Sequence, residues 1–235
     1  MAVPQKPLPC FFLWLLAGVL GVALAWSLDN PVDAALDVSQ KPVLHWFAVC
    51  YSKLGESWVP ALAGISLTIF FLLRHRPNAA AKVFFVVLTC EITGLAGLLV
   101  RLLTGRTRPS SHMPQGFYGV WHDGHWIIGK FEFSAFPSGH AAMAVGLAAA
   151  VWLIHRGWGT VATLFALAVA WSRVALQSHH FSDVMAAAVL AIPLAVILKK
   201  ALWPSVEFQF ANLYRIGHFA PRPPVGIHGA SLNNH

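Results

Sequence analysis

At 235 residues, 57% of them apolar and only 11% charged, with a mean hydropathy of +0.63, this chain falls outside the range of water-soluble domains and inside that of integral membrane proteins. Its net charge of +7 is scattered among apolar runs and forms no basic stripe, which excludes a nucleic-acid surface. The three cysteines, Cys10, Cys50 and Cys90, have neither metal-ligand spacing nor the density of a disulfide framework.

Six apolar runs follow one another: Cys10 to Trp26, Trp58 to Leu73, Val83 to Leu103, His140 to Ile154, Thr160 to Leu176, and Val184 to Leu202. A hydrocarbon layer of roughly 30 Å takes about 20 helical residues, so the shorter runs need flanking aromatics to complete a span. The fourth and fifth are separated only by residues 155–159 and read as a tight helical hairpin. The first run, with Lys6 before it and Ala23-Leu24-Ala25 at its end, also fits a cleaved signal segment. In either case the next loop emerges on the outer side. Pro31 to Tyr51 mixes apolar and polar residues and reads equally as an interfacial helix or a connecting loop. The stretch from Pro204 lacks periodicity and is rich in proline, which predicts a partly disordered cytoplasmic tail over 204–235. The expected fold is therefore all-α, an integral membrane bundle of six transmembrane helices over residues 1–203.

Loop charge gives the orientation. Basic residues lie before Cys10, between Leu73 and Val83, after Ile154 and after Leu198, and these segments belong in the cytoplasm. The Trp26 to Trp58 loop carries Asp29, Asp33, Asp37 and Glu56 against Lys41 and Lys53, and fits the opposite side. Six spans with both termini inside bring Arg101 to His140 and Ser172 to Asp183 together at the outer, periplasmic face of an inner membrane.

The residues gathered there suit phosphate chemistry. Pro137-Ser138-Gly139-His140 stands before a helix, where free N–H groups and the positive end of the dipole attract anions. Ser138 can cap the helix and Gly139 lets an oxygen approach the backbone. Arg101, Arg108 and Arg173 supply guanidinium forks for phosphate oxygens, whereas Arg106 reads as a residue that snorkels to lipid headgroups. His179 and Asp183 are four apart, so on a helix the carboxylate holds one imidazole nitrogen and leaves the other free. His179 could then attack phosphorus while His140 protonates the leaving group and later activates water, with no metal or other cofactor. Mid-span Glu91 reads as a protonated carboxyl hydrogen-bonded between helices. The loop from Ser110 to Phe136, with His112, His122, Asp123 and His125 among tryptophans, reads as a lid of interfacial aromatics and matches no strong metal pattern.

Arg101-x6-Arg108-Pro109, Pro137-Ser138-Gly139-His140 and Ser172-Arg173-x5-His179-x3-Asp183 resemble the three motifs of the type 2 phosphatidic acid phosphatase family, in order and with compatible intervals. The resemblance implies His179 as the phosphohistidine nucleophile, Asp183 as its orienting partner and His140 as the general acid. It implies that Arg101, Arg108, Ser138, Gly139 and Arg173 hold phosphate, and it selects His179 over His180. The departure is Arg101, where the family usually has lysine, so a planar fork replaces a point charge.

The function expected is that of an integral membrane lipid phosphatase acting on undecaprenyl diphosphate, phosphatidylglycerophosphate, phosphatidic acid or a lipid A phosphate. Two alternatives remain open at this level. One is a phosphotransferase of the same fold, and the other is a lipid-phosphate binder or transporter without turnover.

Overall fold

A computed structural model describes residues 8–111 and 113–218. The helices are α1 (Leu8–Ser27), α2 (Asp29–Leu36), α3 (Pro42–Leu54), α4 (Trp58–Leu73), α5 (Pro77–Thr104), α6 (Gly139–Ile154), α7 (Arg156–Ala175) and α8 (Phe181–His218). Between α5 and α6 lie a 3-10 turn, Phe131–Phe133, and a two-stranded hairpin, β1 (Trp121–His122) with β2 (His125–Trp126).

Local chemistry explains where the helices start and stop. Pro42 and Pro77 open α3 and α5, where the missing N–H has no helical partner to lose. Gly105 closes α5 in the left-handed region at φ 57°, and a Cβ there would stand 1.9 Å from the Gly119 carbonyl oxygen. His155 caps α7 by accepting from the Trp158 N–H, so the connection from α6 is a single residue. The expected linker 155–159 is thus almost wholly helical.

Small residues decide the packing. α6 buries Ala141, Ala142, Ala144, Gly146, Ala148 and Ala150, and α5, α7 and α8 all close around it. Large apolar side chains point the other way. Leu16 and Leu24 on α1, Phe70 on α4 and Leu164 on α7 are all exposed, a surface that suits lipid and not water.

Among the described residues three helices are long and apolar enough to cross a membrane, namely α5, α7 and α8. The number rises to five if the bent pairs α1/α2 and α3/α4, kinked by 66° and 55°, are each one span. α6, at 16 residues, is shorter. Pro31 to Tyr51 resolves into α2 and most of α3, and both pack against α7.

The end expected at Pro204 is not there. α8 runs through Pro193 and Pro204 to His218, and the rest of the expected tail lies outside the described residues. Pro193 cannot donate to the carbonyl of Val189, one turn back, and Trp14 Nε1 of α1 donates to that oxygen instead, at 3.3 Å. Glu91 also departs from expectation. Its Oε1 is buried with no hydrogen-bond partner among the described residues.

Candidate active site

The site forms at the end of the bundle where α5 and α7 finish and α6 and α8 begin. Ser138 is the N-cap of α6, fully buried, with its Oγ accepting from the Ala141 N–H at 3.5 Å. Its own N–H donates to the Asp183 carbonyl oxygen at 3.2 Å, which ties the head of α6 to the first turn of α8. The Arg101 guanidinium lies over Gly139, since a Cβ on that glycine would meet Nη1 at 3.4 Å. A side chain at 139 would occupy the space between the arginine and the helix terminus.

Arg173, on the last turn of α7, donates to Ser52 Oγ of α3, and its Nε is buried with no partner among the described residues. Arg108 uses its nitrogens on the loop. Nε donates to the Phe131 carbonyl at 2.8 Å, Nη1 to the Ser178 carbonyl at 3.0 Å and Nη2 to the Ser134 carbonyl at 3.1 Å. A fourth bond runs from Nη2 to Ser134 Oγ at 3.2 Å, and since a guanidinium has five N–H donors, Arg108 both shapes the loop and keeps one donor, on Nη1, for an anion. Burial, then the neighbouring Arg173 and Arg101, push its pKa down to about 10, and it remains cationic at neutral pH.

His179 occupies the turn between α7 and α8, not the end of α7, and is 1% exposed. Its Nδ1 stands 2.7 Å from the Ala135 carbonyl oxygen and 3.6 Å from Asp183 Oδ2. The direct hydrogen bond expected from Asp183 is therefore replaced by one to a backbone carbonyl. A carbonyl only accepts, so Nδ1 carries the proton and the lone pair is on Nε2. That Nε2 is buried and has no partner among the described residues. Burial, followed by the charges of Arg173, Arg108 and Arg101, holds the His179 pKa well below the usual imidazole range, against the opposing pull of the Ala135 carbonyl.

His180 is different. Its Nδ1 meets Asp33 Oδ2 at 2.7 Å and its Nε2 meets the Thr107 carbonyl at 3.2 Å, so neither nitrogen is free. Asp29, Asp33 and His180 form a grouping whose donor atoms lie within 4.8 Å of one another. Each of these side chains is already engaged, Asp29 with the Arg106 guanidinium at 2.6 Å and Asp33 with the His180 ring.

Arg106 does not reach toward headgroups. It is fully buried, with Nη2 on Asp29 Oδ2, Nη1 on Ser182 Oγ at 2.8 Å and on Asp183 Oδ1, and its guanidinium 4.2 Å from the Trp26 ring centre. Sequence reasoning also missed the parts supplied by the first half of the chain. Ser52 holds Arg173, and Gly55 lies beside His140, where a Cβ would come within 3.3 Å of the ring. Asp29 and Asp33 had been counted only as loop charge. The available signal was the presence of carboxylates in the same expected outer layer as the arginines.

The loop over this end exposes Trp126 and Phe131 and pairs Trp121 with Trp126, ring centres 5.1 Å apart. His122 meets its neighbour Asp123 at 3.2 Å, and His112 lies outside the described residues.

Fold and site together define a multi-pass helical membrane protein with a buried imidazole nitrogen, unpartnered among the described residues, under the charges of three arginines. A model of the PAP2 superfamily matches residues 79–207, which include all eight of the candidate residues named from the sequence. The chain belongs to the PAP2 superfamily. Over 129 residues it is 29% identical to undecaprenyl-diphosphatase BcrC of Bacillus subtilis (strain 168), a match that spans 55% of this chain and 60% of that relative's length. Its fold is similar to the crystal structure of the PAP2-type phosphatidylglycerolphosphate phosphatase from Bacillus subtilis, with a TM-score of 0.53 and 18% identity over 83% of this chain and 94% of that one. It is also similar to Aquifex aeolicus LpxE, with a TM-score of 0.51 and 20% identity over 74% and 95%.

Proposed function

We propose that this chain hydrolyses the phosphomonoester or diphosphate of a membrane lipid through a phosphohistidine on His179. The observation that carries this reading is the Nε2 lone pair of His179, buried and unpartnered among the described residues, on a ring that feels the charges of Arg173, Arg108 and Arg101. A bound phosphate satisfies both needs at once. It neutralises the guanidinium cluster and gives Nε2 an electrophile.

In the first step Nε2 forms an N–P bond as the P–O bond to the leaving group breaks, and His140 gives that oxygen its proton. In the second step water attacks phosphorus, His140 takes its proton, and the N–P bond breaks to release phosphate. Arg101, Arg108, Arg173 and the N–H groups at Ser138 and Gly139 hold the charge that develops on the equatorial oxygens. The chain's own groups supply every proton and the nucleophile, so no cofactor is called for.

The placement belongs to the same proposal. Counting each bent pair as one span and α6 as a sixth gives six spans with both ends inside. Loop charge then turns the site toward the periplasmic face of the inner membrane. Residues 1–203 form the catalytic domain, and the segment beyond, where α8 continues, is its cytoplasmic extension. Undecaprenyl diphosphate is the first substrate to test, because the relative matched by sequence is named for it. Phosphatidylglycerophosphate, phosphatidic acid and lipid A phosphates complete the set.

The test is release of inorganic phosphate from these four lipids by detergent-solubilised protein in EDTA, beside His179→Ala. We expect release that survives EDTA, vanishes in the variant, and passes through an acid-labile, alkali-stable phosphoenzyme. Phosphate release that persists in His179→Ala would reject the nucleophile. A folded protein that consumes lipid phosphate only when an acceptor lipid is present would be a transferase. One that binds all four lipids and turns over none would be a binder.

A further inference from the structure

Arg106 is joined to both groups that face His179 Nδ1. Its side chain takes Asp183 Oδ1, while its backbone carbonyl accepts the Ala135 N–H at 3.0 Å, and Ala135 in turn accepts from His179. Asp183 has one oxygen left for the His180 N–H, at 2.8 Å, and that oxygen is the one 3.6 Å from His179 Nδ1.

The other side of Arg106 is closed by α2. Asp29 Oδ1 accepts the Ser182 N–H at 2.8 Å, and Oδ2 accepts both the Ser182 hydroxyl at 2.8 Å and the Arg106 guanidinium. Asp33 Oδ1 accepts the Phe181 N–H at 3.1 Å. The first N–H groups of α8 therefore have carboxylate partners from a different helix, a cap supplied across about 150 residues of chain. The guanidinium between the two carboxylates is roofed by Trp26, and Asp29 and Asp183 are both fully exclude solvent contact, at 0% exposure. A pair of buried carboxylates this close requires a cation between them.

Building on the phosphatase reading above, we propose that Arg106 and Asp29 are positioning residues for the reaction: together they lock the turn that carries His179 so that Nε2 lies in line with the bound phosphorus. Neither touches the phosphate. Arg106 acts through Asp183 and Ala135, and Asp29 acts through Arg106 and the head of α8. The short helix α2 is thereby part of the catalytic apparatus, although it lies outside the matched family region.

The experiment compares kcat, KM and inhibition by inorganic phosphate, the product, for the full-length wild type, Arg106→Gln, Arg106→Lys and Asp29→Asn, each purified in detergent and checked for monodispersity. A misplacement near 1 Å costs about 100-fold, so we expect kcat of Arg106→Gln to fall by about that factor with KM and inhibition by phosphate within about threefold of wild type. Arg106→Lys restores charge but reaches only one carboxylate, and recovers about tenfold of the loss. Asp29→Asn keeps one acceptor oxygen, turns the other into an NH2 donor and loses the charge, and lowers kcat by about tenfold with KM unchanged. If Arg106→Gln does not purify as a single species, Asp29→Asn decides. A kcat within about threefold of wild type in the deciding variant overturns the proposal. Parallel loss of inhibition by phosphate also overturns it, by placing Arg106 in the phosphate pocket. A wild type silent on every lipid phosphate rejects the phosphatase reading itself, which is a separate result.

Discussion

Gly146 offers a direct test of how the α5/α6 contact sets the site. A Cβ at this position would stand 2.0 Å from Thr93 Oγ1 and 2.8 Å from Thr93 Cβ and Cγ2, where ordinary contact begins at 3.4 Å. Gly146→Ala therefore needs about 1.4 Å of relief. Thr93 is fully buried and donates from Oγ1 to the Cys90 carbonyl at 2.8 Å, so turning it sacrifices that bond and still leaves its Cβ in the way. Overpacking costs about 1–3 kcal/mol and the lost bond about 1 more, which sets the expected destabilisation at about 2–4 kcal/mol. The helices that must part carry Arg101 on one side and Ser138 to His140 on the other, so turnover falls by up to about 100-fold. Thermal unfolding in detergent, followed by tryptophan fluorescence, reads the first quantity, and phosphate release below the transition reads the second. Thr93→Ala removes Oγ1 and Cγ2, and in the double variant the two changes should couple favourably by at least about 1 kcal/mol. An unfolding midpoint and turnover equal to wild type in Gly146→Ala, or a strictly additive cycle, would refute the packing argument.

The acid limb of kcat/KM should lie below the usual imidazole value, because the reacting form of His179 is neutral and its pKa is held down by burial and by Arg173. Arg173→Gln removes that charge, raises the His179 pKa and moves the limb to higher pH, whereas Arg173→Lys leaves it in place; a limb unmoved in Arg173→Gln would assign it to another group. Arg101→Lys keeps the charge over Gly139 and should stay within about tenfold of wild type while altering the ranking of monophosphate and diphosphate lipids, and a loss beyond about 100-fold would show that the planar fork is required. Ser52→Ala frees the Arg173 guanidinium from α3 and should raise KM about fivefold with little change in kcat, as read from initial rates.

Much of the site could be read from the chain because its chemistry is local. Ser138, Gly139 and His140 are consecutive, and their character as a helix head depends on nothing distant. The spacing of His179 and Asp183 is likewise a short-range fact, and apolar runs on either side bring Arg101 to the same level as both. Yet the same spacing misled on detail. A break between α7 and α8 falls just before Asp183, so the imidazole turns to the Ala135 carbonyl and the carboxylate turns to Arg106. Helical periodicity carries no signal for such a break. The helix beyond Pro204 was missed for a related reason, because a proline inside a helix persists wherever a neighbouring side chain or turn accommodates it, as Trp14 does at Pro193.

Composition and spacing by themselves determined that this is a membrane protein, which residues are candidates for phosphate chemistry, and that these converge at one end of the bundle. Each of those conclusions depends on residue type and on neighbours a few positions away. Only the tertiary structure decided that Arg106 is a buried clasp and not a surface anchor, that Asp29 is its partner, and which imidazole nitrogen is left free. Those outcomes depend on groups 44 to 153 positions apart finding one another in a buried site, where donors and acceptors need partners.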